Sequence, residues 1–166
     1  MKFKARAYRP KMKPGQMNKT ERSYRDHLEL LKKSGEILDY QYEPETLKLG
    51  PDCRYTPDYR VLVPVPEYSK KIDYIDLAPE GGYITMPGEV KSLTVENGSL
   101  IATFDTIIEF HEVKGTKKKK GSSQTSPYCE DDALVKIKTA STIHYMYKFI
   151  IVWKGLNGKW ERREIN

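Results

Sequence analysis

The chain is poor in the residues that staple or metallate small proteins. Its two cysteines, Cys53 and Cys129, stand far apart with no further Cys or His at ligand spacing. That excludes a disulfide framework and a zinc ribbon. Histidine is scarce as well, with only His27, His111 and His144. Long apolar runs are missing. The longest, Phe149 to Trp153, falls far short of the roughly 20 residues of a membrane helix. No apolar stretch follows the basic N-terminus, so a secretory signal is not expected, and the reading is a soluble, cytoplasmic protein with no membrane partner.

What is present is a chain of 166 residues, 38% hydrophobic and 31% charged, with twelve tyrosines. That length suits one domain with a core of its own. The formal charge of +6 is unevenly spread. Residues 1–19 carry Lys2, Lys4, Arg6, Arg9, Lys11, Lys13 and Lys19 and no acid, which leaves the remainder nearly neutral. A second basic block, Lys117, Lys118, Lys119 and Lys120, lies in a Gly/Ser-rich stretch from Gly115 to Pro127. Two basic segments on a neutral body suit contact with nucleic-acid phosphates. Solvated, solubilising tails have the same composition.

Residues 1–17 read as an extended basic arm, with Pro10 and Pro14 opposing helix. Asn18 to Glu21 has the form of a capping box and predicts a helix from Glu21 to Ser34 that stops at Gly35. Tyr24, Leu28 and Leu31 form its apolar stripe, and Glu21 lies on that stripe too. Short strands are expected at 37–42 and 46–49, and a stronger one at 55–63. Pro64 to Pro87 reads as an irregular insertion, extending to 105. Within it, 89–95 and 99–104 flank Asn97-Gly98 as a β-hairpin. A convincing strand at 107–114 and a basic loop at 115–130 follow. A helix from Asp131 to about Tyr147 comes next, and then two strands around Asn157-Gly158. The order predicts an α+β domain over 18–166, with a mixed central β-sheet flanked by helices.

Two segments carry the chemistry. Tyr55-Thr56-Pro57-Asp58 opens a strand, and Glu112-Val113-Lys114 closes one. Strand alternation puts Glu112 and Lys114 on one face and turns Val113 and His111 to the other, which leaves His111 as a structural histidine. Carboxylates beside an amine at a strand end suit Mg²⁺, which prefers oxygen ligands and keeps waters that serve in phosphodiester hydrolysis.

In their order, these residues resemble the PD-(D/E)xK nuclease superfamily, with Pro57-Asp58 and Glu112-Val113-Lys114 as its two halves. Together with Asn18 to Glu21, His111 to Gly115 and Asp132 to Lys136, they are similar to small phage endonucleases. Those in turn resemble the junction-resolving endonuclease I of short-tailed phages. The resemblance covers residues 18–63 and 107–152. It implies a restriction-endonuclease-like core and a homodimer in the host cytoplasm that cuts branched DNA with Mg²⁺ or Mn²⁺. It further implies Asp58 and Glu112 as metal ligands, with the Val113 carbonyl as a third and Glu21 completing the acid cluster. Lys114 is then the catalytic lysine. From the charge pattern, Lys117, Lys118, Lys119, Lys120, Lys11 and Lys13 are expected to contact DNA, and so is Lys136 of the second helix. The gap between Asp58 and Glu112 is longer than the family leads one to expect.

Each residue also has a plainer reading. Glu21 fits the last place of a capping box, Asp58 a turn acid, and Glu112 with Lys114 a cross-strand pair. Lys136 and Lys138 fit a solvated helix face. A second triplet, Glu89-Val90-Lys91, matches ExK as well. It follows Pro87-Gly88 and starts a hairpin, so Glu112 is the preferred choice.

Overall fold

The computed structural model describes residues 15–72, 86–118 and 124–165. Most of the basic arm, including Lys11 and Lys13, lies outside these residues, as do Lys119 and Lys120. Helix α1 spans Lys19–Ser34 and α2 Asp131–Ile143. The strands are β1 Asp39–Tyr42, β2 Leu47–Lys48, β3 Arg54–Tyr55, β4 Tyr59–Ile72, β5 Val90–Glu96, β6 Ser99–Lys118, β7 Thr125–Tyr128, β8 Lys148–Lys154 and β9 Trp160–Ile165. The architecture is α+β with a mixed central sheet of seven strands and, beside it, a small β2-β3 pair.

The core sheet runs β1-β4-β6-β8-β9. Among the described strands only β6 and β8 pair in parallel, with Glu112 opposite Ile151 and Lys114 opposite Trp153. A parallel pair needs a long crossover, and α2 provides it. Alternation along β6 and β8 sends Phe110, Phe149 and Ile151 into a cluster with Ile137 and Ala140 of α2. Val113, Ile150 and Val152 join Tyr24 and Leu28 of α1 on the other face. The sheet is therefore covered by one helix on each side, and Glu112 lies on the α2 face by the same alternation.

Helix α1 begins as its sequence indicates. The Asn18 side chain accepts from the Thr20 and Glu21 amides, Glu21 bonds back to the Asn18 amide, and Gly35 closes the helix at φ +78°. Helix α2 stops at Ile143 rather than Tyr147, with no glycine to cap it. The chain turns there, and Tyr147 packs edge-on against Phe110 at 4.9 Å.

The region 64–72 is not irregular. Strand β4 continues through Pro64 and Pro66 to Ile72, with a register shift between Pro64 and Tyr68. The prolines are tolerated because β1 pairs with β4 only as far as Leu62. Beyond that point β4 is an edge and needs no amide donor there. The expected strands 99–104 and 107–114 are likewise one strand, β6. The insertion is thus an extension of the main sheet, in which β6 is flanked by β4 and β5. Residues 73–85 of the expected insertion lie outside the described region. Asn97 and Gly98 both adopt positive φ in the β5-β6 hairpin, as a type I′ turn requires.

The expected basic loop is also partly ordered. Gly115 to Lys118 extend β6 and pair with β7, with Lys117 opposite Ser126 and Lys118 opposite Thr125. Among the described residues no helix is long and apolar enough to cross a membrane.

Candidate active site

A break in the chain builds the site. The expected strand 55–63 divides into β3, ending at Tyr55, and β4, starting at Tyr59. Thr56, Pro57 and Asp58 form the step between them. The ladder of β4 on β6 stops with Tyr59 opposite His111, one residue short of pairing Asp58 with Glu112. In that notch the Asp58 side chain takes over the role of backbone, and its Oδ2 accepts the Val113 amide hydrogen at 2.7 Å. The Asp58 carbonyl accepts from the Glu43 amide at 2.9 Å, so the step is held from both sides.

Glu112 is nearly buried, and both of its oxygens are engaged. Tyr55 donates its hydroxyl hydrogen to Oε2 at 2.7 Å, and Lys114 Nζ donates to Oε1 at 2.7 Å. Burial, and then the carboxylates of Glu112 and Glu21, push Asp58 well above the usual carboxylate range, against the pull of the Val113 amide and Lys114. Burial pulls Lys114 down, but Glu112 and Asp58 outweigh it and hold the ammonium above its ordinary value. Burial, reinforced by Glu112, also raises Tyr55 so that its hydroxyl remains a donor. Lys114 therefore acts as a fixed positive charge and hydrogen-bond donor rather than as a base.

Glu21 reaches the same cluster from α1. Its carboxylate is held in the capping box and also accepts from the Tyr42 hydroxyl at 3.0 Å, while its charge is felt at Asp58. The capping reading of this residue is borne out. His111 turns to the opposite face, where it lies against Tyr24 and Glu109. Val113 offers its amide to Asp58, and its side chain packs in the α1 cluster.

The competing triplet lies elsewhere. Glu89 borders a small surface hollow with Asp39, Gln41 and Arg60. Lys91 pairs with Glu67 at 2.6 Å on the exposed extension. Lys117, Lys118, Lys136 and Lys138 are exposed.

No protein-family model, no curated protein and no solved structure matches the chain.

The sequence assigned no site role to the hydroxyls of Tyr55 and Tyr42, which reach Glu112 and Glu21. Their only signal was position. Tyr55 lies three residues before Asp58, but a hydroxyl aimed at a carboxylate leaves no periodic trace. Cys129, just before α2, was passed over too. It is close enough to Lys114 and Glu112 to feel their charges, while burial raises its thiol and keeps it protonated.

Whether these residues suit a divalent cation can be judged from their charge and bonding. Asp58, held up by burial and by the charges of Glu112 and Glu21, is a carboxylate whose ionisation a hard cation would favour. Among the described residues, no three His, Cys, Asp or Glu side chains are arranged as ligands. The bonding explains this, since Glu112 is tied to Tyr55 and Lys114, and Glu21 to Asn18 and Tyr42. Asp58 and Glu112 are oxygen donors of the type that Mg²⁺ or Mn²⁺ prefers, and water commonly completes such a site.

Proposed function

We propose that the chain is a metal-dependent DNA endonuclease of phage type that cleaves branched DNA such as four-way junctions. The observation that carries the reading is the meeting of Asp58, from the break before β4, with Glu112 and Lys114, from the end of β6. Residues 54 positions apart along the chain reach one notch, which a surface ion pair of Glu112 and Lys114 alone would not require.

Asp58 and Glu112 hold the cation, and Glu21 adds negative charge beside them. When bound, Mg²⁺ or Mn²⁺ supplies a water of lowered pKa as nucleophile and offsets charge at the phosphate. Lys114 positions the attacking water, in line with the departing 3′ oxygen, or donates to a non-bridging phosphate oxygen as negative charge builds there. Tyr55 keeps one Glu112 oxygen oriented. Lys117 and Lys118, beside the site on the β6-β7 hairpin, contact backbone phosphates together with Lys136, so that shape is read more than sequence. Lys119, Lys120, Lys11 and Lys13 extend this basic surface. Two cuts in a junction call for two active sites, hence a homodimer.

One observation favours a second reading. With no three-ligand group formed among the described residues, the cluster also suits a DNA-binding protein without activity, in which Glu112 and Lys114 only pair. Incubating a labelled four-way junction and its matched linear duplex with the protein in Mg²⁺ and in Mn²⁺ separates the cases. Junction cleavage supports the proposal. Equal cleavage of both substrates leaves a nuclease for nicked or linear duplex. Binding without cleavage in either metal leaves the inactive binder.

A further inference from the structure

On the α1 face, behind the acid cluster, four side chains form a polar chain that the proposed reaction does not use. Arg162 Nη2, on β9, donates to Glu109 Oε1 and Oε2 at 3.0 Å each. Glu109 Oε2 stands 3.0 Å from His111 Nε2, and His111 Nδ1 stands 2.6 Å from the Tyr24 hydroxyl on α1. Glu109, His111 and Tyr24 are 3–4% exposed. Burial pushes the His111 imidazole down, against the pull of Glu109. Burial raises Glu109, but His111 and Arg162 together draw it below its ordinary value, and it is ionised. His111 thus bridges the Glu109 carboxylate, through Nε2, and the Tyr24 hydroxyl, through Nδ1.

A buried ionic chain of this kind is a poor source of stability, because apolar residues of similar volume often serve as well or better. What it adds is position. Helix α1 buries Tyr24 and Leu28, with Leu31 partly buried beside them, and apolar contacts of this kind are non-directional and tolerate small shifts. A directional bond at 2.6 Å to a strand in the middle of the sheet does not. One turn before Tyr24 lies Glu21, whose carbonyl accepts from the Tyr59 hydroxyl at 2.8 Å. Tyr59 in turn packs edge-on against Tyr24 at 5.6 Å. Any shift of Tyr24 is therefore carried to the helix start, where Glu21 stands near Asp58.

We propose that Arg162, Glu109, His111 and Tyr24 are positioning residues that seat α1 from behind the sheet, so that Glu21 stands beside Asp58 and the acid cluster binds a divalent cation. The inference rests on the cation site described above and extends it to residues on the opposite face, none of which touches the cation.

The test is calorimetric titration of the full, metal-free chain with Mn²⁺, using Tyr24→Phe, Glu21→Gln and the double variant, with the melting temperature of each recorded. Tyr24→Phe is expected to weaken Mn²⁺ binding on the order of tenfold, the lower end for loss of an outer partner of a metal site. In the Glu21→Gln background it is expected to add nothing, because the two act as one unit. Arg162→Met, at the exposed end of the chain, repeats the cycle if Tyr24→Phe does not fold. No loss from Tyr24→Phe, or an equal loss in both backgrounds, overturns the inference and makes Tyr24 a core residue only. A wild-type chain that binds no Mn²⁺ overturns the cation site itself and the inference with it.

Discussion

The Asp58 carboxylate accepts the Val113 amide hydrogen at 2.7 Å, at the point where β4 and β6 part. A side chain there replaces a missing rung of the sheet ladder. The same bond brings a carboxylate that burial and its acidic neighbours make costly to ionise up against Glu112. The ladder ends where the acid cluster begins, and a single residue does both jobs.

The choice between the two ExK triplets is open to direct test. Lys114→Ala should lower junction cleavage on the order of 10²-fold, as expected for loss of one preorganised donor. Glu112→Gln should lower it at least as far, whereas Glu89→Gln should cleave at the wild-type rate. Single-turnover cleavage in Mg²⁺ measures all three, and a loss confined to Glu89→Gln would sink the assignment of the site.

Tyr55→Phe removes one of the two bonds that hold Glu112. A buried carboxylate left short of a donor costs about 1–3 kcal/mol. Chemical denaturation should show that loss, and the Mg²⁺ concentration for half-maximal cleavage should rise. Unchanged values in both measurements would mean that the Tyr55 hydroxyl is incidental.

Asp58 should make the metal-free protein less stable as pH rises. Its folded-state proton affinity lies above that of the unfolded chain, whose Asp titrates near about 3.9. The protonated form therefore favours folding. Its contribution is fully present below about pH 3.9 and is lost as pH climbs through the raised folded value. Melting temperatures in chelator should fall with pH in the wild type relative to Asp58→Asn, and Mn²⁺ should restore the wild type alone. Parallel curves for the two proteins would refute this account.

Gly88 faces the bulged part of the sheet so closely that a Cβ there would stand 2.0 Å from the Thr106 carbonyl oxygen. Two bonds depend on that approach, from Ile108 N–H to the Pro87 carbonyl at 2.6 Å and from Glu89 N–H to Thr106 Oγ1 at 2.8 Å. Gly88→Ala should cost about 1–3 kcal/mol, the usual range for overpacking. Thermal unfolding reads it directly, and an unchanged midpoint would show that the backbone yields there at no cost.

Much of this molecule was legible without coordinates, wherever the signal is local. Asn18 to Glu21 and Gly35 bound α1 within two residues, because caps answer to backbone groups three or four positions away. Asn97-Gly98 marked its hairpin because both residues must take positive φ. Alternation alone placed Glu112 and Lys114 together and His111 opposite, as found. Other features depended on what lay across the sheet. Pro64 and Pro66 looked like strand breakers, yet they sit in β4 because β1 ends at Leu62 and leaves an edge that needs no donor. Lys117 and Lys118 looked like loop residues until β7 paired with them. The hydroxyl of Tyr55 on Glu112, and that of Tyr24 on His111, join residues 57 and 87 positions apart. The sequence by itself determined where helices start, where hairpins turn and which strand residues share a face, because those depend on near neighbours. Only the tertiary structure decided that Asp58 would stop one rung short of Glu112 and that a polar chain would bind α1 from behind. Those relationships exist only between strands and helices already packed together.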